Sequence, residues 1–233
     1  MANESVMIFN STQSFIEGVE PYTSLSIFNL KDVSKQCKDT VSPLAYFNEL
    51  LLSPQESIVY KHETDMSFII LPIKGTLSYQ DQYNKEIYVD PEELLAIQIA
   101  KGKMYTIHNP YPNEWINYLH IGFQNQFMFE NNSFAIETIA LKKMNELVPI
   151  NLPYNDHFIG QLGIYDGRAK DYYALKKKDN TVFIYVMNGI FEVQGRLLER
   201  KSGLSLKNLE EIEFEALSNN AILLLLEIKS NNY

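Results

Sequence analysis

The strongest constraint on the fold is an internal repeat. FIILPIKGTL at Phe68–Leu77 aligns without a gap on VFIYVMNGIF at Val182–Phe191. Gly75 falls on Gly189, and apolar residues fall on apolar residues ahead of each glycine. Each copy is typical of a strand, a tight turn at the glycine and a second strand. The repeat therefore predicts that one strand-rich unit occurs twice in the chain.

Short apolar or alternating segments, bounded by turn residues, continue through most of the sequence. This pattern predicts strands. The 233 residues are 45% hydrophobic, which is enough to bury a sizeable core. Two units of about 70–100 residues built from short strands predict an all-β fold of two jelly-roll barrels in tandem.

One segment between the two copies has a different pattern. Phe134–Leu147 places apolar residues on one helical face and charged residues on the other, and Pro149 follows it. We expect a short helical linker over residues 134–156. It would join an N-terminal domain, residues 1–133, to a C-terminal domain, residues 157–233.

The net charge and the length of the apolar runs argue against two classes of partner. The formal net charge is −9 and the pI is about 5.0, so the chain as a whole repels phosphate backbones, and we expect no direct nucleic-acid partner. The longest apolar run, Ala221–Leu226, is far shorter than the ~20 residues of a membrane-spanning helix. We therefore expect a cytoplasmic protein without a membrane partner.

Several stretches carry a resemblance to a known family. They share the order and spacing of strands, turn glycines and histidines. They are YTSLSIF (Tyr22–Phe28), YKHETDMSFIILPIKGTLSYQD (Tyr60–Asp81), KGKMYTIHNP (Lys101–Pro110), INYLHIGFQN (Ile116–Asn125) and GIYDGRAKDYYALKKKDNTVFIYVMNGIFEVQG (Gly163–Gly195). Together they resemble the pirin family of two-domain cupins, which is related to quercetin 2,3-dioxygenase-type bicupins. The resemblance implies two tandem cupin barrels with a metal site in the N-terminal one only. It also implies that the strand at Tyr22–Phe28 packs against the C-terminal barrel.

The family's metal motifs are incomplete in this chain. The first motif is His-Pro-His, a strand and Gly-Glu-Leu, and the second ends in His-Ser-Glu. Counted back from the turn glycine, the two histidine positions fall on Lys61 and Glu63, and the proline position falls on His62. His108 keeps the third ligand position, whereas Pro110 replaces the glutamate. The resemblance therefore implies a degenerate site, and we expect no metal cofactor.

A rearranged site remains an alternative. Side chains alternate along a strand, so the ungapped register turns Lys61 and Glu63 into the barrel and His62 away from it. A one-residue slip or a bulge would turn His62 inward, and the sequence leaves both registers open. An iron or another divalent transition metal would then be held by His62 and His108, with Glu63 or His120.

The function predicted from these residues is binding rather than catalysis. We expect a non-catalytic, pirin-like bicupin that binds a small molecule or a protein partner in or around the N-terminal barrel. The pocket candidates are His62, Glu63, His108, His120 and Trp115. Trp115 could line a pocket or simply be packed. The alternative is a metal-dependent dioxygenase of the quercetinase type. The resemblance gives such enzymes a ligating glutamate that acts as base, and Pro110 removes that group here.

Overall fold

A computed structural model describes residues 5–9, 15–19, 22–29, 43–124, 133–141, 143–152 and 157–230, and its regular secondary structure is strand. The strands are β1 Ser5–Phe9, β2 Phe15–Val19, β3 Tyr22–Asn29, β4 Leu44–Leu52, β5 Ser57–Lys61, β6 Met66–Lys74, β7 Leu77–Asp81, β8 Glu86–Val89, β9 Glu93–Ile99, β10 Met104–His108, β11 Ile116–Gln124, β12 Ser133–Thr138, β13 Glu146–Ile150, β14 Phe158–Tyr165, β15 Lys170–Ala174, β16 Thr181–Asn188, β17 Ile190–Val193, β18 Arg196–Glu199, β19 Gly203–Lys207, β20 Glu211–Ala216 and β21 Ala221–Ile228.

The chain divides into two compact units, each with two sheets. One unit comprises Phe15–Asp32 and Pro43–Ile139, and we call it the N-terminal barrel. Its sheets have the strand orders β12-β9-β6-β11-β4-β3-β2 and β5-β10-β7-β8. The other unit, which we call the C-terminal barrel, comprises Met1–Ser14, Val33–Ser42 and Ala140–Tyr233. Its sheets have the orders β1-β19-β16-β21-β14-β13 and β15-β20-β17-β18. The predicted all-β fold with two tandem jelly-roll barrels is confirmed.

The two barrels repeat the same strand pairing. In the N-terminal barrel β6 lies between β9 and β11, and in the C-terminal barrel β16 lies between β19 and β21. Gly75 and Gly189 end the β6 and β16 strands with φ of 80° and 77°, a conformation that favours glycine. Both ladders also shift register just before these glycines. The internal repeat therefore sets a residue-by-residue correspondence between the barrels.

The predicted helix at Phe134–Leu147 needs correction. Ser133–Thr138 forms β12, which pairs with β9 at the edge of the N-terminal barrel, and Glu146–Ile150 forms β13, which pairs with β14. Phe134 and Ile136 pack against the N-terminal core, a period-two pattern. A short isolated helix is only marginally stable in water, whereas pairing with β9 completes a sheet edge and places Phe134 and Ile136 on the core, so tertiary context overrides the helical periodicity.

The assignment of strands to the two barrels also differs from the predicted domain boundaries. β12 belongs to the N-terminal barrel rather than to a linker. The strand at Tyr22–Asn29 pairs with β4 in the N-terminal barrel. The strand Ser5–Phe9, in contrast, joins the C-terminal barrel, where it pairs with β19. It takes the place that β12 occupies beside β9 in the other barrel.

Candidate functional site in the N-terminal barrel

Alternation along two paired strands turns aromatic residues into the N-terminal barrel. On β5 the odd-numbered residues are exposed and Tyr60 points inward, and on β10 Tyr105 and Ile107 are buried. Tyr60 and Tyr105 are direct partners in the β5–β10 ladder, so their side chains share the inner face. Both rings join the hydrophobic core, with centroids 5.1 Å apart. The interior next to these strands is therefore aromatic.

A buried hydrogen bond joins Tyr105 to His120 on β11. The phenolic oxygen lies 2.7 Å from Nε2 of His120, and the two residues are 1% and 4% exposed. Burial, with a smaller contribution from the charge of nearby His62, lowers the pKa of His120 to about 3. Burial also raises the pKa of Tyr105 well above its ordinary value. Tyr105 therefore stays protonated and donates a hydrogen bond to Nε2 of a neutral imidazole, which carries its own proton on Nδ1.

Aromatic rings enclose this hydrogen bond. The ring of Tyr60 lies 4.4 Å from that of His120, and Phe68 stacks on His120 at 4.7 Å with an interplanar angle of 10°. The hydroxyls of Tyr60 and Tyr118 lie 3.1 Å apart and share a hydrogen bond. Burial raises the pKa of both phenols, so both stay protonated at neutral pH. Apart from the neighbouring imidazole of His62, the environment of His120 is therefore largely apolar.

His62 lies beside the same rings. It follows exposed Lys61, is partly buried, and its ring is 4.5 Å from that of Phe68. Since Phe68 contacts both imidazoles, the structure brings His62 and His120 together at the barrel interior. Of the two registers left open by the sequence, the structure has the one in which His62 faces inward.

His108 occupies a different place. It lies on β10 with the opposite parity to buried Tyr105 and Ile107, so it belongs to the outer face of the sheet. Its Nδ1 atom lies 3.0 Å from the hydroxyl of Ser57 and 3.1 Å from the carbonyl oxygen of Glu56. His108 is level with Ser57, and His62 lies five residues further along, beyond the other end of the β5–β10 ladder, about 16 Å away at ~3.3 Å per residue. The structure does not bring His62 and His108 together.

The two remaining candidates are solvent-facing. Glu63 is exposed in the turn between β5 and β6. Trp115 is 42% exposed and lies in the segment that precedes β11. The side-chain amide of Asn109 ties this segment to the carbonyl oxygens of Leu52, Ser53 and Glu114. Trp115 is therefore held on an ordered surface loop, apart from the His62–His120 pair.

The donor set does not fit the three-histidine, one-glutamate metal site that the resemblance implies. In the described part of the chain, no three His, Cys, Asp or Glu residues are grouped so that they could hold a metal ion. Two histidines face the barrel interior, and Nε2 of one of them already accepts the hydrogen bond from Tyr105. Phenols that keep their protons are poor ligands for a divalent ion. Tyr60 and Phe68 also fill the space beside His120.

The C-terminal barrel shows what the same positions hold in the other copy of the repeat. With Gly75 matched to Gly189, the strand registers place Leu225 where His120 stands and Ile212 where Tyr105 stands. Both are fully buried in the C-terminal core. A barrel of this architecture therefore needs no polar pair at these positions. The Tyr105–His120 pair is specific to the N-terminal barrel.

The sequence pattern does not single out two residues of this site. Tyr60 and Tyr105 match ordinary strand residues in that pattern, although their rings lie beside His62 and His120 in the structure. The signal that could have found them is the inner-face alternation from Tyr60 to His62. The internal repeat would have extended it, since Tyr60 corresponds to Tyr173, which packs in the C-terminal core.

Known proteins resemble the chain in fold. Residues 162–228 match the family model of the quercetinase C-terminal cupin domain. The structure superposes on YhhW from Escherichia coli with a TM-score of 0.83 and 13% identity, covering 98% of this chain and 100% of that one. Bacterial pirin YhhW from Escherichia coli in complex with nickel(II) gives 0.83 and 14%, covering 97% and 100%. No curated protein sequence matches the chain.

A third similar structure has an enzymatic name. Quercetin 2,3-dioxygenase from Acinetobacter baumannii gives a TM-score of 0.76 at 14% identity, covering 95% of this chain and 78% of that one. These likenesses establish a pirin-like bicupin fold and confirm the resemblance drawn from the sequence motifs. No helix in the described part of the chain is long and apolar enough to cross a membrane.

Proposed function

We propose that the chain is a metal-free, non-catalytic pirin-like bicupin that acts by binding a small molecule or a protein partner in or around its N-terminal barrel. The observation that carries this proposal is the 2.7 Å hydrogen bond from Tyr105 to Nε2 of His120, enclosed by aromatic rings. A metal ion would need the lone pair that this hydrogen bond uses. Tyr105 would have to leave a site in which it is 1% exposed.

The lack of a carboxylate at the family's base position also favours binding over oxidation. The resemblance gives the enzymes a ligating glutamate at the position of Pro110, and Pro110 offers no proton acceptor in its side chain. Glu63, the carboxylate nearest in sequence to His62, is exposed. Burial lowers the pKa of His120 to about 3, so this imidazole is a poor base, because accepting a proton would place a charge in apolar surroundings.

Two buried polar atoms support the small-molecule form of the proposal. The hydroxyl of Tyr79 and Oδ1 of Asn48 have no hydrogen-bond partner among the described residues. Tyr79 packs against Tyr105, and Asn48 lies opposite His120 in the β4–β11 ladder, so both face the barrel interior. Buried polar groups are nearly always satisfied, so each of these two atoms is a candidate contact for a small polar molecule, water included.

The alternative is a quercetinase-type dioxygenase with a rearranged iron or other divalent metal site, and the fold likeness to a quercetin 2,3-dioxygenase is the observation that favours it. Metal content separates the two. Protein purified without chelators or a nickel column is analysed by plasma mass spectrometry. We expect a metal content far below one ion per chain, unchanged in His120→Ala.

Stoichiometric iron, manganese, copper, nickel or zinc that is lost in His120→Ala would overturn the proposal, and quercetin oxidation would then be assayed. Metal that survives His120→Ala but is lost in His108→Ala would place a site on the outer face, which would equally contradict a metal-free chain. A cytoplasmic location is part of the same proposal.

A further inference from the structure

The outer face of the small sheet in the C-terminal barrel forms an open groove. The groove lies over β15, β20 and β17, and its volume is about 360 Å³. The side chains that matter are Lys170, Tyr172, Glu192, Glu211, Glu213 and Glu215. A space of this size takes one or two side chains rather than a folded domain, so it suits an extended segment.

The matching face of the N-terminal barrel provides an internal comparison. The strand registers place Met104, Thr106, His108 and Ser78 where the groove has Glu211, Glu213, Glu215 and Glu192. They also place Val59 where the groove has Tyr172. One sheet of the same architecture thus has no carboxylate at four positions where the other has a glutamate at each. The four glutamates are a property of this groove and not a requirement of the barrel.

Most of this negative charge has no cationic partner among the residues that the structure describes. Glu215 forms ion pairs with Arg168 and Lys170, at 3.3 Å each. No lysine or arginine of the described ranges forms an ion pair with Glu192, Glu211 or Glu213. Glu192 also stands directly opposite Glu215 in the β17–β20 ladder, a like-charge pairing that disfavours the sheet. A bound cation would relieve this repulsion.

An exposed aromatic ring stands beside the carboxylates. Tyr172 is 61% exposed and is the direct ladder partner of Glu213. Leu197, also 61% exposed, is the partner of Glu192 on the other side of the groove. A carboxylate and an aromatic face side by side suit a guanidinium group, which stacks on the ring and forms paired hydrogen bonds with the carboxylate.

We propose that this groove docks an extended, arginine-containing basic segment of a partner protein. An arginine of the segment stacks on Tyr172 and bonds Glu213, while neighbouring basic side chains meet Glu211 and Glu192. The charge of the groove and the exposed Tyr172 select a cationic peptide, and the groove's size selects an extended one. The surface belongs to the C-terminal barrel, so the proposal does not depend on the metal content of the N-terminal barrel.

The test measures, by fluorescence polarisation, how tightly the full chain binds a short fluorescein-labelled peptide in which arginine and serine alternate. The test variant is Glu192→Ser, Glu211→Met and Glu213→Thr, which installs the residues that the N-terminal barrel holds at the same positions. The control is Glu92→Gln, Glu114→Gln and Glu199→Gln, three exposed glutamates outside the groove. Both variants remove three negative charges from a chain of net charge −9.

We expect the groove variant to bind about tenfold more weakly, because three exposed charge contacts worth roughly twofold each multiply to nearly that loss, and the control to bind as the parent does. Tyr172→Val should also weaken binding without any change of charge, and more for arginine than for a lysine version of the peptide. Equal losses in both charge variants would mean attraction to net charge alone and would overturn the proposal. So would a parent chain that binds spermine but not the peptide.

Discussion

The stability of the N-terminal barrel should depend on pH through one buried histidine. His120 is 4% exposed, and burial lowers its pKa from 6.5 to about 3. The unfolded chain therefore binds a proton at this residue in a pH range where the folded chain does not. Stability linked to His120 is fully present above pH 6.5 and is lost as the pH falls from 6.5 towards 3.

The size of the effect follows from the two pKa values. Between pH 7 and pH 5 the proton taken up by the unfolded state lowers the free energy of unfolding by about 2 kcal/mol, and by pH 4 the loss reaches about 3 kcal/mol. Replacing His120 with glutamine removes this titration. It keeps an acceptor for the Tyr105 hydroxyl, so the buried phenol is not left unpaired.

The assay has a built-in reporter. Trp115 is the only tryptophan and lies in the N-terminal barrel, so its fluorescence during urea unfolding follows that barrel rather than the other. Parent and His120→Gln proteins are unfolded at pH 7 and at pH 5. We expect the parent to lose about 2 kcal/mol more than the variant between these conditions.

A second variant separates titration from packing. His120→Leu, which installs the residue found at the matching position of the C-terminal barrel, strands the Tyr105 hydroxyl and should be less stable than His120→Gln at every pH. The two variants should nevertheless share one pH slope, shallower than that of the parent. If parent and variants lose stability in parallel as the pH falls, His120 is not held neutral by burial and the reasoning fails.

Two further predictions concern packing. Fully buried Glu227 accepts hydrogen bonds from the Tyr173 hydroxyl, the backbone of Lys176 and the Asn180 amide. Glu227→Ala should therefore lower the free energy of unfolding by about 3–5 kcal/mol and lower the temperature of the calorimetric transition of the C-terminal barrel. An unchanged transition temperature would contradict this prediction. A Cβ at Gly122 would lie 2.6 Å from the Phe68 ring, so Gly122→Ala should lower the free energy of unfolding by about 1–3 kcal/mol. Urea unfolding monitored by Trp115 fluorescence measures this loss, and adding Phe68→Leu should restore part of the stability. No loss, or no restoration, would count against this contact.

The fold was readable from the sequence because its main determinant is local and repeated. The alignment of FIILPIKGTL with VFIYVMNGIF places Gly75 and Gly189 in the positive-φ turn that they occupy in the structure. Apolar strand patterns on both sides then define the sheet interiors. The helix predicted over Phe134–Leu147 shows the limit of this approach. Its apolar residues satisfy a helical period, but β9 offers an unpaired edge that residues 133–138 complete as a strand.

The orientation of the histidines could not be read in the same way. Side chains change face at every residue, so an alignment displaced by a single position reverses every assignment. The family motif counted back from Gly75 turns His62 outward, whereas the β5–β10 ladder turns Tyr60 and His62 inward and His108 outward. Only the pairing partners fix this choice, and these lie more than 40 residues apart in the chain.

The two barrels, matched position by position, argue that each keeps polar groups that its fold does not require. The interior of the N-terminal barrel has His120 and Tyr105 where its counterpart has Leu225 and Ile212, and a buried polar pair is seldom more stabilising than well-packed apolar residues. The outer sheet of the C-terminal barrel has glutamates where its counterpart has Met104 and other residues without a carboxylate. Each barrel shows that the architecture folds without the polar residues of the other, so the needs of the fold explain neither the Tyr105–His120 pair nor the glutamates. One departure lies in the interior of the N-terminal barrel and the other on the outer sheet face of the C-terminal barrel, so they are independent features. The function of this chain should be sought at these two places.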